Sequence, residues 1–272
     1  MVGDNAQLPP VGFGLAWHKM SFSTKIPSVN LTKVHRKASD SPSYIAAMNI
    51  RNSKDVDFQP LPEERVSKGL YFDEVSPDDF LKKLVQLKNK YPAAQILTPY
   101  MSDSMQEGAH KLNLELQEAL NPLSKHTKGI YLGSFAIHEG SPVIFTENNY
   151  ELGVYNGTTG KLESVEVNKT GMQCGLFSTE NNEAILQLNL DQMFECGVQL
   201  AFAISIHKSQ GSEYIHTIIC SITNSCMMER SLAYTAITRA KRLCIVLGAQ
   251  SVFQKAIKLT PKAEQLCVGI NL

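Results

Sequence analysis

A polar loop between two apolar runs holds the side chains with the clearest chemical potential in this sequence. Residues 201–206 are apolar apart from Ser205, and the polar segment 207–213, which includes His207, Gly211 and Glu213, follows directly. Polar groups at the end of a buried strand lie at the edge of a sheet, where α/β proteins bind ligands. Ser205, His207 and Ser209 can donate hydrogen bonds to phosphate oxygens, and Gly211 permits a positive φ or a close backbone approach. An ordinary polar loop between two strands is the alternative interpretation.

Two further stretches contain candidate functional residues. A predicted helix at 228–240 ends in the basic residues Arg239, Lys241 and Arg242. Cations at a helix C-terminus offset the macrodipole, so capping is one interpretation of this cluster. The other is that Arg239 binds a phosphoryl group, because its planar, permanently charged guanidinium suits that ligand better than an ammonium does. The N-terminal segment 3–12, which contains Gln7, predicts only a loop when it is considered alone.

The overall composition excludes several classes of protein. The 272 residues, about two domains long, contain 26 Lys and Arg and 26 Asp and Glu, so the formal net charge is zero. This balance excludes a wholly basic nucleic-acid binder and an acidic disordered chain, but not a locally basic groove. No apolar run reaches the ~20 residues that cross a bilayer, and the N-terminus lacks the pattern of a secretory signal. We therefore expect a cytoplasmic protein with no membrane association.

The cysteines favour the same compartment. The chain has six, and none forms a C-x-x-C pair, so the common zinc sites are not expected and no metal site is predicted. Several lie in apolar runs, where a free cysteine packs as a small hydrophobic residue. We expect reduced, structural cysteines.

The elements that must position the candidate residues alternate between strand and helix. Strands are predicted at 69–75 and 95–98, with helices at 42–52, from about 80, and at 109–120. After residue 190 the alternation resumes with strands at 200–206, 214–222 and 243–247 and helices at 228–240 and 250–258. This order predicts an α/β fold with a parallel sheet. Between 129 and 190, short β-like runs separated by turns such as Asn156-Gly157 predict a small β insertion.

In this order the three stretches resemble motifs of the RecD-like branch of superfamily 1 DNA helicases, with a UvrD-like C-terminal domain. Gly3-Asp4-x-x-Gln7-Leu8-Pro9-Pro10-Val11-Gly12 resembles motif III. His207-Lys208-Ser209-Gln210-Gly211-x-Glu213 resembles motif V, and Tyr234-Thr235-Ala236-x-Thr238-Arg239-Ala240 resembles motif VI. Leu31-Thr32-x-x-His35-Arg36-Lys37 is similar to the segment that carries a phosphate-sensing arginine. Segment 95–99, leading to Leu112-Asn113, is similar to a strand and its following helix, and segment 148–157 to an inserted barrel.

The resemblance implies a fold and a division into domains. Residues 1–40 would be a stub of the first RecA-like domain. Residues 41–128 and 191–272 would form the second helicase domain, a RecA-like, P-loop-type parallel sheet. Residues 129–190 would form a small β-barrel inserted in it.

The resemblance also implies roles for particular residues. Gln7 would couple the γ-phosphate to the DNA site, and Arg36 and Arg239 would reach that phosphate across a cleft between two RecA-like domains. Glu213 would hold the ribose of the nucleotide, and Gly211 would belong to the same nucleotide-binding site. Thr98, Ser205 and His207 would contact phosphates or sugars of single-stranded DNA. Tyr150 would stack on a base, or would be a buried or fold-supporting tyrosine.

The nucleotide-binding half of such a motor is missing from this sequence. No Gly-Lys is followed by Ser or Thr, and the single Gly-Lys pair, Gly160-Lys161, precedes Leu162. A phosphate-binding loop needs that pattern. Asp73-Glu74 imitates a magnesium-binding pair, but it follows motif III instead of preceding it, so we expect no catalytic role for it. ATP and Mg²⁺ would serve the complete enzyme, and neither is expected to bind tightly to this chain alone.

Three hypotheses remain. The leading one is the C-terminal portion of an ATP-dependent 5′–3′ DNA helicase that is inactive alone, with single-stranded DNA and an N-terminal helicase half or another protein as partners. The alternative is a non-enzymatic module that binds single-stranded DNA or protein. The third is a degraded gene product without function.

Overall fold

The computed structural model describes residues 2–9, 15–29, 41–102, 104–167, 171–180, 182–222, 228–261 and 264. Its helices are α1 (Ala16–Phe22), α2 (Pro42–Arg51), α3 (Phe80–Lys90), α4 (Ala109–Leu120), α5 (Leu190–Glu195), α6 (Arg230–Thr238) and α7 (Gln250–Lys258). Its strands are β1 (Gln59–Pro60), β2 (Gly69–Glu74), β3 (Gln95–Thr98), β4 (Gly129–Leu132), β5 (Phe135–His138), β6 (Pro142–Phe145), β7 (Thr159–Val167), β8 (Gln173–Thr179), β9 (Asn182–Asn189), β10 (Val198–Leu200), β11 (Ala203–Ser205), β12 (Tyr214–Ser221) and β13 (Ala240–Gly248). Across those ranges, each helix is too short or too polar to cross a bilayer.

The chain divides into two compact units. The first consists of Met1–Phe80 and Ser209–Leu272, and the second of Leu81–Lys208. The chain therefore passes from the second unit into the first inside the polar loop that follows β11.

A parallel sheet forms the centre of the first unit. Its strands run in the order β1, β2, β13, β12, and β13 pairs with β2 on one side and β12 on the other. The side chains of 243–247 are fully buried, as are those of Ile218 to Cys220. A strand that is buried at every position is covered on both faces, which is typical of parallel sheets in α/β proteins.

Two parallel strands, an antiparallel sheet and a hairpin build the second unit. Strands β3 and β11 pair in parallel, with Thr98 opposite Ser205. A separate antiparallel sheet has the order β10, β6, β7, β8, β9, and β4 pairs with β5 as a hairpin. Strands β4 to β9 lie between residues 129 and 190, where the sequence predicts a β insertion, whereas β10 lies beyond that range.

Helix α4 holds strands of the second unit through two buried carboxamides. Asn113 donates to the Ala203 carbonyl at 2.8 Å and accepts from the Ala203 N–H at 2.9 Å. One turn later, Gln117 donates to the Ala136 carbonyl at 2.8 Å and accepts from the His138 N–H at 3.1 Å. Because the two side chains lie on one face of the helix, α4 fixes both β11 and the β5 hairpin strand.

The predicted elements agree with most of the observed ones. Strand 95–98 and helices 109–120 and 250–258 have the predicted bounds. The predicted single strand at 200–206 is wrong, because it is divided into β10 and β11. Strand β10 pairs antiparallel with β6, whereas β11 pairs in parallel with β3, so the chain changes sheets at Ala201-Phe202. An apolar run looks the same whichever sheet it joins.

Lys88 gives the second unit a pH-dependent stability. Its Nζ donates to the Ala94 carbonyl at 2.7 Å, and burial lowers the pKa of Lys88 to about 8. In the unfolded chain the pKa of a lysine is about 10.4. Between about pH 8 and pH 10.4 the unfolded chain therefore binds more protons than the folded chain, and rising pH favours folding.

We therefore expect the free energy of unfolding of the wild type to rise, relative to that of Lys88→Met, by about 1–2 kcal/mol between about pH 7.5 and 10. Chemical denaturation of both proteins at several pH values measures this difference. Lys82→Met, which changes an exposed lysine on the same helix, is the matched control and should show no such trend. A difference that is flat with pH would contradict the argument.

Candidate functional site

The predicted site residues divide between the two units. The first unit contains Gln7, Gly211, Glu213 and Arg239, and the second contains Thr98, Tyr150, Ser205 and His207. Arg36 lies outside the described residues. The residues assigned to nucleotide and those assigned to DNA are therefore found in different units.

The N-terminal segment lies against α6 in the first unit. The Leu8 N–H donates to Thr235 Oγ1 at 3.1 Å, and Gln210 Nε2 donates to the Leu8 carbonyl at 3.0 Å. Thr235 in turn donates to the Ser231 carbonyl within α6 at 2.7 Å. The N–H and the carbonyl of Leu8 are thus bonded to side chains of α6 and of the loop at 209–213. The neighbouring Gln7 therefore lies next to these two segments.

Asp4 anchors the same segment from its other end. Its carboxylate accepts the Tyr234 hydroxyl at 2.9 Å, and Arg51 Nη1 lies 3.5 Å from its other oxygen. Burial, together with the negative charge of Asp4, raises the pKa of Tyr234 to about 12. Tyr234 therefore remains a proton donor to Asp4 throughout the neutral range. The Gln7 side-chain amide is 3.5 Å from the same carboxylate.

Arg239 is buried at the end of α6, with 6% of its surface exposed. Its guanidinium donates to the Ser212 carbonyl at 2.9 Å, the Thr235 carbonyl at 3.2 Å and Thr238 Oγ1 at 3.3 Å. These are the contacts of a cation that caps a helix C-terminus. A phosphoryl oxygen would have to compete with these oxygens for the same N–H groups.

Gly211 and Glu213 complete the set in the first unit. Gly211 has φ +84°, which favours glycine strongly, and no atom lies within 4 Å of an added Cβ. The residue is therefore required by backbone conformation and not by close packing. Glu213 lies 3.5 Å from Lys241 Nζ, in a contact between two side chains that are both substantially exposed.

Thr98 and Ser205 lie side by side at the carboxyl ends of β3 and β11, the edge where parallel sheets bind ligands. Both side chains are buried. Thr98 Oγ1 donates to the Glu107 carbonyl and accepts from the Tyr100 N–H, and Ser205 Oγ accepts from the Lys208 N–H at 3.3 Å. In this structure the two hydroxyls therefore fix the loops that follow the strands.

Lys208 is a functional candidate to which the sequence analysis assigned no role. Its Nζ donates to Gln199 Oε1 at 2.7 Å, and burial lowers the pKa of the Lys208 ammonium. The adjacent His207 is exposed. A lysine three residues after a strand that ends in serine was the signal, but only the tertiary structure shows that Lys208 turns back onto β10.

Tyr150 lies in the connection between β6 and β7. It is 76% exposed, and its ring packs edge-on against Tyr155 at a centroid distance of 5.9 Å. The exposed ring is available to stack on a planar ligand. Tyr150 is therefore not buried, and its contact with Tyr155 leaves both base stacking and support of the fold as predictions.

Glu74, the second residue of the acidic pair at the end of β2, makes a structural contact. Glu74 Oε2 accepts the Gln250 N–H at 3.1 Å, so the carboxylate satisfies an amide at the start of α7. Such a contact stabilises a helix N-terminus. Among the described residues, no group of three His, Cys, Asp or Glu side chains could hold a metal ion. Four of the six cysteines are described; all four are buried, and none of these four is in a disulfide.

The chain matches two protein-family models. Residues 112–174 match the ATP-dependent RecD-like DNA helicase SH3 domain, and residues 200–247 match the UvrD-like helicase C-terminal domain. The first range overlaps the predicted insertion, and the second contains the segments that resemble motifs V and VI.

Relatives with assigned names agree with these matches. The chain is 27% identical over 260 residues to the ATP-dependent RecD2 DNA helicase of Deinococcus radiodurans. The aligned region covers 94% of this chain and 33% of that protein. It is 34% identical over 121 residues to the RecBCD enzyme subunit RecD of Mycobacterium tuberculosis (strain ATCC 25618 / H37Rv), covering 44% of this chain and 20% of that subunit. The chain thus spans a third or less of these relatives.

A solved structure supports the fold. The Pif1 helicase from Bacteroides in complex with ADP-AlF3 and ssDNA matches with a TM-score of 0.54 at 18% identity, over 97% of this chain and 64% of that one. At this identity the match concerns the fold alone. The matches together support a RecD-like superfamily 1 helicase C-terminal region, and the predicted RecA-like α/β fold is confirmed. The barrel form of residues 129–190 remains a prediction.

Proposed function

We propose that these residues act as the C-terminal portion of an ATP-dependent 5′–3′ DNA helicase that binds single-stranded DNA and supplies arginines to an ATP site. The observation that carries this proposal is the convergence of three motif-bearing segments in the first unit. The N-terminal segment, the loop at 209–213 and helix α6 are joined there by the hydrogen bonds of Leu8, Gln210 and Thr235. In this proposal Arg239 and Arg36 approach the γ-phosphate, and Glu213 approaches the ribose.

The DNA-binding part of the proposal rests on the second unit. Thr98 and Ser205 shape the loops at the edge of β3 and β11, where His207 is exposed and Lys208 supplies a positive charge. Tyr150 offers an exposed ring for base stacking, which is worth ~1–3 kcal/mol per base in other single-strand binders. A β-barrel of residues 129–190 and the domain bounds given above are parts of the same proposal.

These residues are proposed not to bind or hydrolyse ATP by themselves. The 272 residues contain no Gly-Lys-Ser/Thr loop. ATP and Mg²⁺ would therefore bind only when an N-terminal helicase half supplies that loop and an Asp-Glu pair. The partners are therefore single-stranded DNA and an N-terminal half or another protein, in the cytoplasm.

We expect the purified chain to bind labelled single-stranded oligonucleotide with submillimolar affinity, and His207→Ala to weaken binding about fivefold, since one hydrogen bond is lost. Fluorescence anisotropy measures both. His126→Ala, which changes another exposed histidine of the second unit, is the matched control and should bind as the wild type does. Equal affinities for His207→Ala and wild type would exclude the contact.

A steady-state ATPase assay with single-stranded DNA separates the hypotheses. The chain alone should show no turnover, and turnover should appear when a RecD-like N-terminal half is added. Hydrolysis by the pure chain would overturn the proposal. DNA binding without any gain from the N-terminal half would favour the non-enzymatic module.

A further inference from the structure

A pocket in the second unit lies beside the proposed DNA-binding edge and shares Ser205 and Lys208 with it. It has a volume of about 280 Å³ and lies among the start of α4, the β4–β5 turn, β10 and β11. Its apolar wall includes Leu114, Phe135 and Leu200, and its polar side includes Gln199, Lys208 and Ser205. The volume is near the lower end of the range for ligand pockets, about 300–1,000 Å³, so a small flat group fits it better than a large ligand.

The polar side of the pocket presents a cation. Lys208 Nζ is bonded to Gln199 Oε1, a neutral acceptor, and no carboxylate of the described residues forms an ion pair with it. Burial lowers its pKa, which means that the surroundings disfavour an uncompensated charge. An anion held beside Lys208 would supply the missing compensation, whereas a cationic or purely apolar ligand would not.

Two residues of the apolar side, Leu114 and Phe135, are incompletely covered. Leu114 is 46% exposed although it lies on a helix whose neighbouring residues Leu112 and Asn113 are buried. Phe135 faces the pocket from β5 and is itself only partly buried. A planar ligand that enters against Leu114 and Phe135 would remove this apolar surface from water, at roughly 25 cal/mol per Å².

We propose that this pocket receives one unstacked base of single-stranded DNA, with the base against Leu114 and Phe135 and its phosphate beside Lys208. A nucleotide unit has the required combination of a flat, largely apolar ring and an adjacent anion. The proposal rests on the proposed single-stranded DNA binding and specifies how part of that binding is achieved.

The test compares two labelled oligonucleotides of equal length, an oligothymidylate and a strand of abasic residues with the same phosphates. By fluorescence anisotropy, the wild type should prefer the base-bearing strand by about 5–100-fold. Leu114→Ala should reduce this preference about three- to tenfold without changing the affinity for the abasic strand. Leu123→Ala is the matched control, because Leu123 is 45% exposed and does not line the pocket, and it should leave the preference unchanged.

Lys208→Ala should weaken the binding of both strands, because both carry the phosphate. Thermal melts of each variant verify that it folds. If neither strand binds the wild type, the proposed DNA-binding function fails. If both bind and Leu114→Ala leaves the preference intact, only the pocket proposal is overturned. Thymidine monophosphate that binds as tightly as the oligonucleotide would also overturn it, since the pocket would then take a free nucleotide.

Discussion

ATP hydrolysis is expected to fall by about 10³-fold when Arg239 is replaced by Ala in an enzyme that joins these residues to a RecD-like N-terminal half. An arginine that reaches the γ-phosphate stabilises the charge of the transition state, and alanine removes that charge and its hydrogen bonds. Arg239→Lys should recover only a small part of the rate, because an ammonium lacks the planar, two-pronged geometry of guanidinium.

The contacts of Arg239 make a structural control necessary. Its guanidinium bonds to the Ser212 and Thr235 carbonyls, so alanine also removes a link between α6 and the loop before β12. Denaturation of Arg239→Ala and of the wild-type chain measures that loss separately. Steady-state ATPase at saturating DNA and ATP then reports the effect on turnover in the folded fraction.

Arg242→Ala is the matched control for charge. Arg242 lies three residues further along, is exposed on β13, and should keep activity close to that of the wild type. An Arg239→Ala enzyme that hydrolyses ATP within about twofold of the wild-type rate would exclude a role at the γ-phosphate and leave Arg239 as a helix cap.

The largest expected loss of stability, about 3–4 kcal/mol, follows from Asn113→Ala. The carboxamide satisfies both the N–H and the carbonyl of Ala203, and each buried backbone group left without a partner costs about 1–3 kcal/mol. The cavity left by the side chain adds to the cost. The midpoint of urea denaturation measures the change.

Asn113→Asp distinguishes the two bonds. A carboxylate still accepts from the Ala203 N–H but repels the Ala203 carbonyl, so this variant should gain stability as the pH falls and the added carboxyl becomes a donor. Glu118→Ala, on the exposed side of α4, should change stability by less than about 0.5 kcal/mol. An Asn113→Ala protein as stable as that control would show that α4 does not hold β11.

The types and spacing of neighbouring residues were enough to predict many of the helices and strands. Ser41-Pro42 predicted the start of α2, and the Ser41 side chain accepts from the Tyr44 N–H at 3.3 Å in the structure. The bounds of β3 and α4 were also predicted, since turn residues and apolar spacing act over a few positions. The division of 200–206 between two sheets was missed because strand partners lie far away in sequence.

The sequence by itself determined the order of the motifs, the α/β alternation and the family resemblance, because these depend on residue type and spacing along the chain. Only the tertiary structure decided what each side chain contacts. It places Asp4 against Tyr234, encloses Arg239 among carbonyl oxygens, and turns Lys208 onto Gln199 beside a pocket. These contacts join residues from different elements. The contact of Asp4 with Tyr234 requires the N-terminus to pack against α6, and the contact of Arg239 with Ser212 requires the loop before β12 to do so. Their geometry follows from the packing of those elements, which spacing along the chain does not encode.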